Sequence, residues 1–185
     1  IARDAARRGL KVALVDMSDL AFGTSSRSSK MVHGGLRYLE HFALSLVFES
    51  VSERRVLLDI APHIVNPMAY LAPIYSQSRQ KLWIVNAGMW LYEGLSLFRS
   101  PKRHQILDPD MVKELEPTLK IEGMSGAPVF FDCSTDDARL TLETGLDAAK
   151  AGAVVVTWAR MDSFITDDSG RVTGALVEDM TSGEM

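Results

Sequence analysis

This sequence has few thiols, little excess of either charge and no apolar run long enough to stand out. Cys133 is the only cysteine among 185 residues, which excludes a disulfide within the chain and favours a reducing compartment. The 20 Lys and Arg residues nearly balance the 24 Asp and Glu residues, so the net charge of −4 gives no indication of a nucleic-acid partner. Hydrophobic residues make up 46% and charged residues 24%, the proportions of a soluble globular protein with one sizeable core.

Residues 1–16 have the pattern of the second half of a dinucleotide-binding βαβ unit. Alanines at helical spacing predict a short helix over residues 1–8, and the apolar residues 11–16 predict a buried parallel strand that ends in the carboxylate Asp16. Such a carboxylate binds a ribose hydroxyl, although an ordinary exposed acid at a strand end is the alternative. The first half of the unit would precede Ile1, so we expect this chain to be an internal fragment of a longer protein.

Residues 21–38 form a polar segment that lacks the period of a helix or a strand. The segment holds five Ser and Thr hydroxyls, three glycines and three cationic side chains. Hydroxyls and glycines let a backbone approach a polar ligand closely, and Arg and Lys suit anionic groups. A solvated Ser-rich loop is the alternative. The sequence His33-Gly34-Gly35-Leu36-Arg37-Tyr38 at the end of the segment favours a ligand loop, because linkers rarely combine these residues.

Two ungapped blocks, residues 24–40 and 132–140, carry a resemblance to a known family. They resemble the FAD-dependent glycerol-3-phosphate dehydrogenases and the related glycerophosphate oxidases, and the similarity runs through the whole chain. The resemblance implies that sn-glycerol 3-phosphate is oxidised to dihydroxyacetone phosphate, with a hydride passing to the flavin and electrons passing on to quinone. In an oxidase the electrons would pass to oxygen. A non-catalytic dinucleotide-binding module is the alternative from another class of protein.

The resemblance also implies which residues carry these duties. Arg37 and Tyr38 would face the substrate, with the Arg37 guanidinium as a bidentate partner of its phosphate. The general base remains unassigned, with His33 and His41 as candidates. Asp16 stands where glutamate is usual in the family, and the glycine-rich turn is absent, so we expect the isolated chain to bind FAD poorly. The residues expected to contact FAD are Asp16, Thr24, Ser25, Ser26, Ser28, Ser29, Lys30, His33, Gly34, Gly35 and Leu36.

Alternating helices and strands predict an α/β fold. We expect a Rossmann-like parallel sheet that binds FAD, incomplete in this chain and interrupted by part of a mixed α+β substrate-binding lobe with an antiparallel sheet. The predicted segments are 1–65 and 131–185 for the FAD-binding domain and 66–130 for the lobe, with a β-hairpin across residues 167–170. Asp136 and Asp137 predict the start of a helix rather than a metal site, because no His or Glu lies at ligand spacing.

An apolar helix is predicted over residues 82–98, followed by the basic residues Arg99, Lys102, Arg103 and His104. It is short for a membrane span and contains Glu93. It fits either a core helix of the lobe followed by a solvated basic loop, or an interfacial helix lying on an anionic membrane. We expect the protein to be cytoplasmic and peripheral on the inner face of the cell membrane.

Overall fold

Helices and strands alternate along the chain as the sequence predicts. The computed structural model describes residues 1–97 and 100–185, except for the side chains of Arg37 and Glu40. The helices are α1 (Ala2–Arg7), α2 (Leu44–Ile60), α3 (Leu82–Leu95), α4 (Pro109–Leu115) and α5 (Asp137–Lys150). The strands are β1 (Ala13–Val15), β2 (Met31–Val32), β3 (Asn66–Leu71), β4 (Ile74–Tyr75), β5 (Gln105–Leu107), β6 (Met124–Ser134), β7 (Val154–Val156), β8 (Ala159–Thr166) and β9 (Val172–Asp179).

The chain divides into two compact units. The first unit consists of Ile1–Ser29 and Asp136–Met185, and the second unit of Lys30–Thr135. Residues 30–65 therefore group with the segment 66–130, which the sequence analysis assigned to a separate lobe. Compactness does not by itself define a functional domain, so the assignment of the FAD-binding and substrate-binding segments stays a prediction.

The first unit is built on the parallel pair β1 and β7. Their register places Ala13 opposite Val154 and Val15 opposite Val156, which confirms the predicted parallel pairing. The predicted burial is wrong, because Ala13 is exposed and Leu14 and Val15 are half-buried. The small side chains of Ala6, Ala148 and Ala153 form the core beside these strands, because alanines let α1 and α5 pack closely. Helix α5 begins within one residue of the predicted start, but its cap is Asp136 and not Ser134 or Thr135, which the sequence favours for this position. Oδ1 of Asp136 accepts from the Arg139 amide at 3.0 Å.

The predicted hairpin is present in the first unit. Strands β8 and β9 pair antiparallel with two register irregularities. The turn is closed by Asp167, whose Oδ1 accepts from the Ser169 and Arg171 amides, each at 3.0 Å. The Ser169 hydroxyl also donates to this carboxylate and lowers the pKa of Asp167. Aspartate in this position favours the turn because its side chain satisfies amides that the strands leave unpaired.

The second unit is organised around the long strand β6. This strand pairs antiparallel with β2, β3, β4 and β5, which gives the predicted antiparallel sheet. Helix α2 packs beside it through Val47 and Val51, which meet Tyr92 of α3. The sequence predicts one apolar stripe on α2, formed by Leu44, Val47, Phe48, Val51 and Leu58. This prediction is partly wrong, because Leu44 and Phe48 are exposed while Arg54 is buried on the same face as Val47 and Val51. The reason for this burial is an ion pair described below.

Helix α3 has one packed face and one exposed apolar face. Met89, Tyr92 and Glu93 are buried, as the core-helix alternative requires. The opposite side, called here the outer face of α3, is exposed to solvent and carries no charge; it consists of Trp83, Ala87, Trp90, Leu91 and Gly94. None of the helices in the described ranges 1–97 and 100–185 combines the length and apolar character needed to cross a membrane. The residues Phe98 and Arg99, which the sequence analysis included in this region, lie outside the described residues.

Candidate functional site

Asp16 lies immediately after β1 and is held by the surrounding backbone. Its amide donates to the Val156 carbonyl at 3.0 Å, and its carbonyl accepts from the Ala159 amide at 2.8 Å. One carboxylate oxygen, Oδ1, accepts from the Ser18 amide at 2.9 Å. The other oxygen makes no hydrogen bond within residues 1–97 and 100–185, so it remains an acceptor for a hydroxyl. This position, half-buried at the end of a parallel strand, suits the ribose-binding duty that the sequence predicts.

The serine-rich segment of the first unit is anchored at one point by the start of α5. Ser28 donates through its hydroxyl and its amide to Oδ2 of Asp137, at 2.6 and 3.2 Å. Arg27 turns back on its own loop, donating to the carbonyls of Phe22 and Gly23. Thr24 and Ser25 are exposed in a short 3-10 turn, Thr24–Ser26. Asp137 was expected only to begin a helix, and its hold on Ser28 is a contact that sequence analysis did not identify.

In the second unit, the glycine pair is buried against protein rather than exposed. The Gly34 amide donates to Oδ1 of Asp132 at 2.9 Å, and the Gly35 amide donates to Nδ1 of His33 at 3.0 Å. A methyl group added at Gly34 would lie 2.8 Å from Cγ2 of Val51 and would overlap the Tyr92 side chain. Gly35 has a φ of +75°, which favours glycine. Both glycines are therefore explained by packing and turn geometry, and a close approach to the flavin stays a prediction.

A cavity of about 500 Å³ in the second unit collects several of the predicted site residues. Its volume lies in the range of small-molecule sites. The His33 and Tyr38 rings approach each other with centroids 6.1 Å apart. The residues lining it are Met31, His33, Leu36, Tyr38, His41, Phe130 and Asp132. The structure thus brings together both candidate bases, the predicted substrate residue Tyr38 and a buried carboxylate.

A second, more apolar cavity of about 600 Å³ shares Leu36 and Phe130 with the first. Most of its wall comes from α3 and from the residues before α2, with Arg79 and Gln80 as its long polar side chains. Gly88 lines it, and a Cβ added at this glycine would have no atom of another residue within 4 Å outside the backbone of its own helix. The remaining lining residues are Leu39, Phe42, Ala72, Ile84, Val85 and Met89. Such a wall suits a flat apolar ligand better than a charged one.

Lys30 and Arg37 were the predicted cationic contacts in this segment. Lys30 begins the second unit with a φ of +57°, and its carbonyl accepts from the Thr135 amide at 2.9 Å. The backbone of Arg37 lies in the 3-10 helix Leu36–His41. Its side chain lies outside the described residues, so the expected contact with the substrate phosphate stays a prediction.

The buried group that sequence analysis missed is centred on Arg54. Its guanidinium pairs with Asp132 and donates to the Tyr92 hydroxyl at 2.9 Å. Burial alone would lower the pKa of Arg54, but the neighbouring Tyr92 and Asp132 reverse this effect and raise it. Burial also raises the pKa of Tyr92, so its hydroxyl stays protonated. The signals in the sequence were a charged residue in phase with Val47 and Val51 and an aspartate at the start of the second matching block.

Two other predictions in the second unit have clear outcomes. The sequence predicts a buried, inert thiol at Cys133, and the structure shows that Cys133 is fully buried and that burial raises its pKa. His104 was assigned to a solvated basic cluster, and this is wrong. Its Nδ1 lies 2.7 Å from Oε1 of buried Glu93, and its ring packs edge-on against Trp90 with centroids 4.9 Å apart. His104 is buried because the carboxylate of α3 needs a partner.

Comparison with known proteins gives a consistent result. A family model described as FAD dependent oxidoreductase matches residues 1–184. A glycerol-3-phosphate dehydrogenase from Synechocystis is 40% identical over 184 residues, covering 99% of this chain and 33% of the relative. An alpha-glycerophosphate oxidase from Streptococcus pneumoniae is 38% identical over 188 residues, covering 100% of this chain and 31% of the relative.

A solved structure agrees with these relatives. The glycerol-3-phosphate dehydrogenase from Bacillus halodurans, complexed with FAD, superposes with a TM-score of 0.71 at 31% identity. The match covers 98% of this chain and 28% of that chain. The chain therefore spans about a third of the length of the curated relatives it matches, 31 to 33% for the two described above.

Proposed function

Because this chain belongs to the family of FAD dependent oxidoreductases, we propose that the whole protein oxidises sn-glycerol 3-phosphate to dihydroxyacetone phosphate. The observation that carries the proposal is the identity of 38 to 40% over essentially the whole chain to glycerol-3-phosphate dehydrogenases and glycerophosphate oxidases. The mixed α/β fold and FAD as the family cofactor were both expected from the sequence and are confirmed. The substrate and the direction of the reaction are what the proposal adds.

The residues present fit a bound FAD. In the first unit, Asp16 holds an acceptor oxygen at the end of β1, and hydroxyls of Thr24 and Ser25 are exposed. In the second unit, the turn of Gly34 and Gly35 is fixed by two hydrogen bonds. It connects His33 and Leu36, which both line the cavity of about 500 Å³. When bound, FAD supplies the acceptor for the two electrons that leave the substrate as a hydride. The proposed contacts are Asp16, Thr24, Ser25, Ser26, Ser28, Ser29, Lys30, His33, Gly34, Gly35 and Leu36.

The chain's own residues would bind the substrate and accept its hydroxyl proton. Oxidation at C2 of glycerol 3-phosphate breaks the C2–H bond, releasing a hydride, and the hydroxyl proton passes to a base. His33 and His41 both line the cavity of about 500 Å³, and each is a candidate for that base. With Nδ1 of His33 accepting the Gly35 amide, the neutral ring carries its hydrogen on Nε2, so His33 acts as a base only if this bond is released. Tyr38 would orient the substrate, and Arg37 would bind its phosphate.

We propose quinone as the electron acceptor. The support is the apolar cavity of about 600 Å³, which shares two wall residues with the cavity that holds the candidate bases. A quinone ring is flat and apolar, and such a wall would accommodate it. Oxygen is the second candidate, because an alpha-glycerophosphate oxidase is among the relatives at 38% identity. Oxygen consumption measured against quinone reduction, with the same enzyme and substrate, separates the two.

We also propose that the protein works in the cytoplasm, in peripheral contact with the inner face of the cell membrane. The support is the outer face of α3, where Trp83 is 72% and Trp90 is 52% exposed. Tryptophan and leucine on one helix face, with Lys102 and Arg103 nearby in sequence, are typical of an interfacial helix. His104 does not belong to this surface cluster, because its side chain is buried against Glu93.

The test is the flavin spectrum of the whole protein with and without glycerol 3-phosphate. We expect the purified protein to be yellow and the visible absorbance of its flavin to bleach when glycerol 3-phosphate is added without oxygen. Glycerol should bleach it far more slowly, because it lacks the phosphate. A bound flavin that no glycerol 3-phosphate concentration reduces would contradict the proposed substrate and favour another oxidoreductase of the family. A protein that retains no flavin would favour the non-catalytic module.

A further inference from the structure

An ion pair in the interior of the second unit is almost completely buried. Arg54 is 1% and Asp132 is 2% exposed. Arg54 reaches Asp132 from the middle of α2, and Asp132 lies near the end of β6. The Tyr92 hydroxyl and the Ser100 hydroxyl, at 2.9 and 3.3 Å, take further hydrogen bonds from the guanidinium. Two helices and the central strand therefore meet at one charged group.

Stability alone is a weak explanation for this pair. Removing two charges from water costs several kcal/mol for each ion, and apolar residues of similar volume often give equal or greater stability. A hydrogen-bonded charge pair differs from an apolar pair because its hydrogen bonds are directional, so they fix where the two groups lie. The group that Asp132 fixes besides Arg54 is the Gly34 amide, at 2.9 Å.

The turn formed by Gly34 and Gly35 is held by contacts from three sides. Asp132 binds the Gly34 amide, the ring of His33 binds the Gly35 amide at 3.0 Å, and Tyr92 and Val51 occupy the space where a side chain on Gly34 would lie. Tyr92 is also the group that receives a hydrogen bond from Arg54. The packing of the turn and the position of the carboxylate are therefore coupled through one aromatic side chain.

The residues on either side of this turn line the cavity of about 500 Å³. His33 precedes the turn, Leu36 and Tyr38 follow it, and all three line the cavity together with Asp132. We infer that Asp132, held in place by Arg54, is a positioning residue that fixes the Gly34–Gly35 turn and thereby sets where His33 and Tyr38 stand in the cavity. The inference rests on the proposed function for the ligand of this cavity, but the hold of Asp132 on the turn does not depend on that ligand.

Two double variants of the whole protein differ only in the acceptor offered to Gly34. The first combines Arg54→Met with Asp132→Asn, and the second combines Arg54→Met with Asp132→Leu. Asparagine and leucine have similar size, and neither leaves a buried charge, but only asparagine accepts a hydrogen bond from the Gly34 amide. Arg55→Met is the control, since Arg55 is the next residue of α2 and its pair with Asp59 is exposed.

Hydrogen exchange of peptides covering residues 31–38 is measured first, without substrate. We expect the Leu variant to exchange about 10- to 100-fold faster than the Asn variant in this segment, because a buried amide loses a strong acceptor. The flavin visible spectrum should shift in the Leu variant, and its kcat should fall more than its KM rises. The Arg55→Met control should match the unmodified protein in all three measurements.

Two results would overturn the inference. Equal exchange in the Leu and Asn variants, both folded by circular dichroism, would show that Asp132 does not hold the turn. Faster exchange with an unchanged flavin spectrum and unchanged kcat would show that the turn does not set the site. Neither result bears on the proposed substrate, which is tested separately by flavin bleaching in the unmodified protein.

Discussion

Arg37 is the single side chain on which the proposed preference for a phosphorylated substrate depends. In the whole protein we expect Arg37→Lys to lower kcat/KM for glycerol 3-phosphate by about 10- to 150-fold, because one hydrogen bond to a charged group contributes about 1.5–3 kcal/mol. Lysine keeps the charge but replaces two parallel donors by one point charge. The preference for glycerol 3-phosphate over glycerol should be lost at the same time, as steady-state kinetics on both substrates would show.

Arg55→Lys is the control for this substitution, since Arg55 forms an exposed pair with Asp59 at 3.1 Å and should not affect turnover. The alternative role of Arg37 is to pair with Glu40 or Glu49 and anchor α2. A variant that melts at a lower temperature but keeps its KM and its substrate preference would support that role and contradict the phosphate contact.

Gly34 allows a prediction that needs no ligand. Alanine at this position places a methyl group 2.8 Å from Cγ2 of Val51 and against the Tyr92 ring. Overpacking of this kind costs about 1–3 kcal/mol, so the melting temperature of Gly34→Ala should fall. Gly88→Ala is the control, because no atom outside the backbone of its own helix lies within 4 Å of the added methyl and alanine favours a helix. Equal melting temperatures for the two variants would mean that the turn moves aside easily.

At the scale of helices and strands, the outer face of α3 carries the membrane proposal. The double variant Trp83→Glu and Leu91→Glu should reduce sedimentation of the whole protein with anionic vesicles at low salt, because it places charge in the face that would enter the lipid. Trp90 is left unchanged since its ring packs on His104. Leu146→Glu on α5, where Leu146 is 50% exposed, is the control.

Unchanged sedimentation would indicate that another part of the whole protein covers this face. In that case the same double variant should lower the melting temperature, since charges would be buried in a contact. Vesicle sedimentation and the melting temperature of the double variant, each compared with Leu146→Glu, therefore distinguish a membrane contact from a contact within the whole protein.

The sequence predicts the elements whose signals are local. Asp136 caps α5 and Asp167 closes the hairpin through contacts with residues at most four positions away. Arg54 shows why the candidate site could only partly be predicted, because its partner Asp132 is 78 residues away in sequence. A charged residue in the apolar stripe of α2 becomes intelligible only when β6 brings that carboxylate to it. His104 was misassigned for the same reason, since its partner Glu93 lies on a different element.

At the scale of the whole protein, the structure explains less than the sequence similarity does. The chain spans 33% of the Synechocystis relative. In the proposed function, the general base is either His33 or His41 or a residue from the rest of the whole protein. Further substrate-binding residues would also come from that rest. The two ungapped blocks are sufficient to indicate the family. One block contains the serine-rich and glycine-containing loop, the other contains the start of α5, and the distance between them in the sequence also agrees with the family. The electron acceptor is a property that neither block determines.

The apolar cavity beside α3 makes the acceptor testable in the whole protein. Gly88→Leu would fill part of this cavity, since a Cβ at Gly88 has no atom within 4 Å outside the backbone of its own helix. If quinone binds there, KM for a soluble quinone should rise at least about tenfold, the change that about 1.4 kcal/mol of lost binding produces. The rate at which glycerol 3-phosphate reduces the flavin, measured by stopped-flow absorbance without an acceptor, should not change.

Gly94→Leu is the matched control, because Gly94 lies on the outer face of the same helix and an added Cβ there also has no atom within 4 Å outside the backbone of its own helix. If Gly88→Leu slows flavin reduction and leaves KM for quinone unchanged, the cavity binds the substrate and not quinone. If the unmodified enzyme consumes oxygen faster than it reduces quinone, the oxidase activity is favoured.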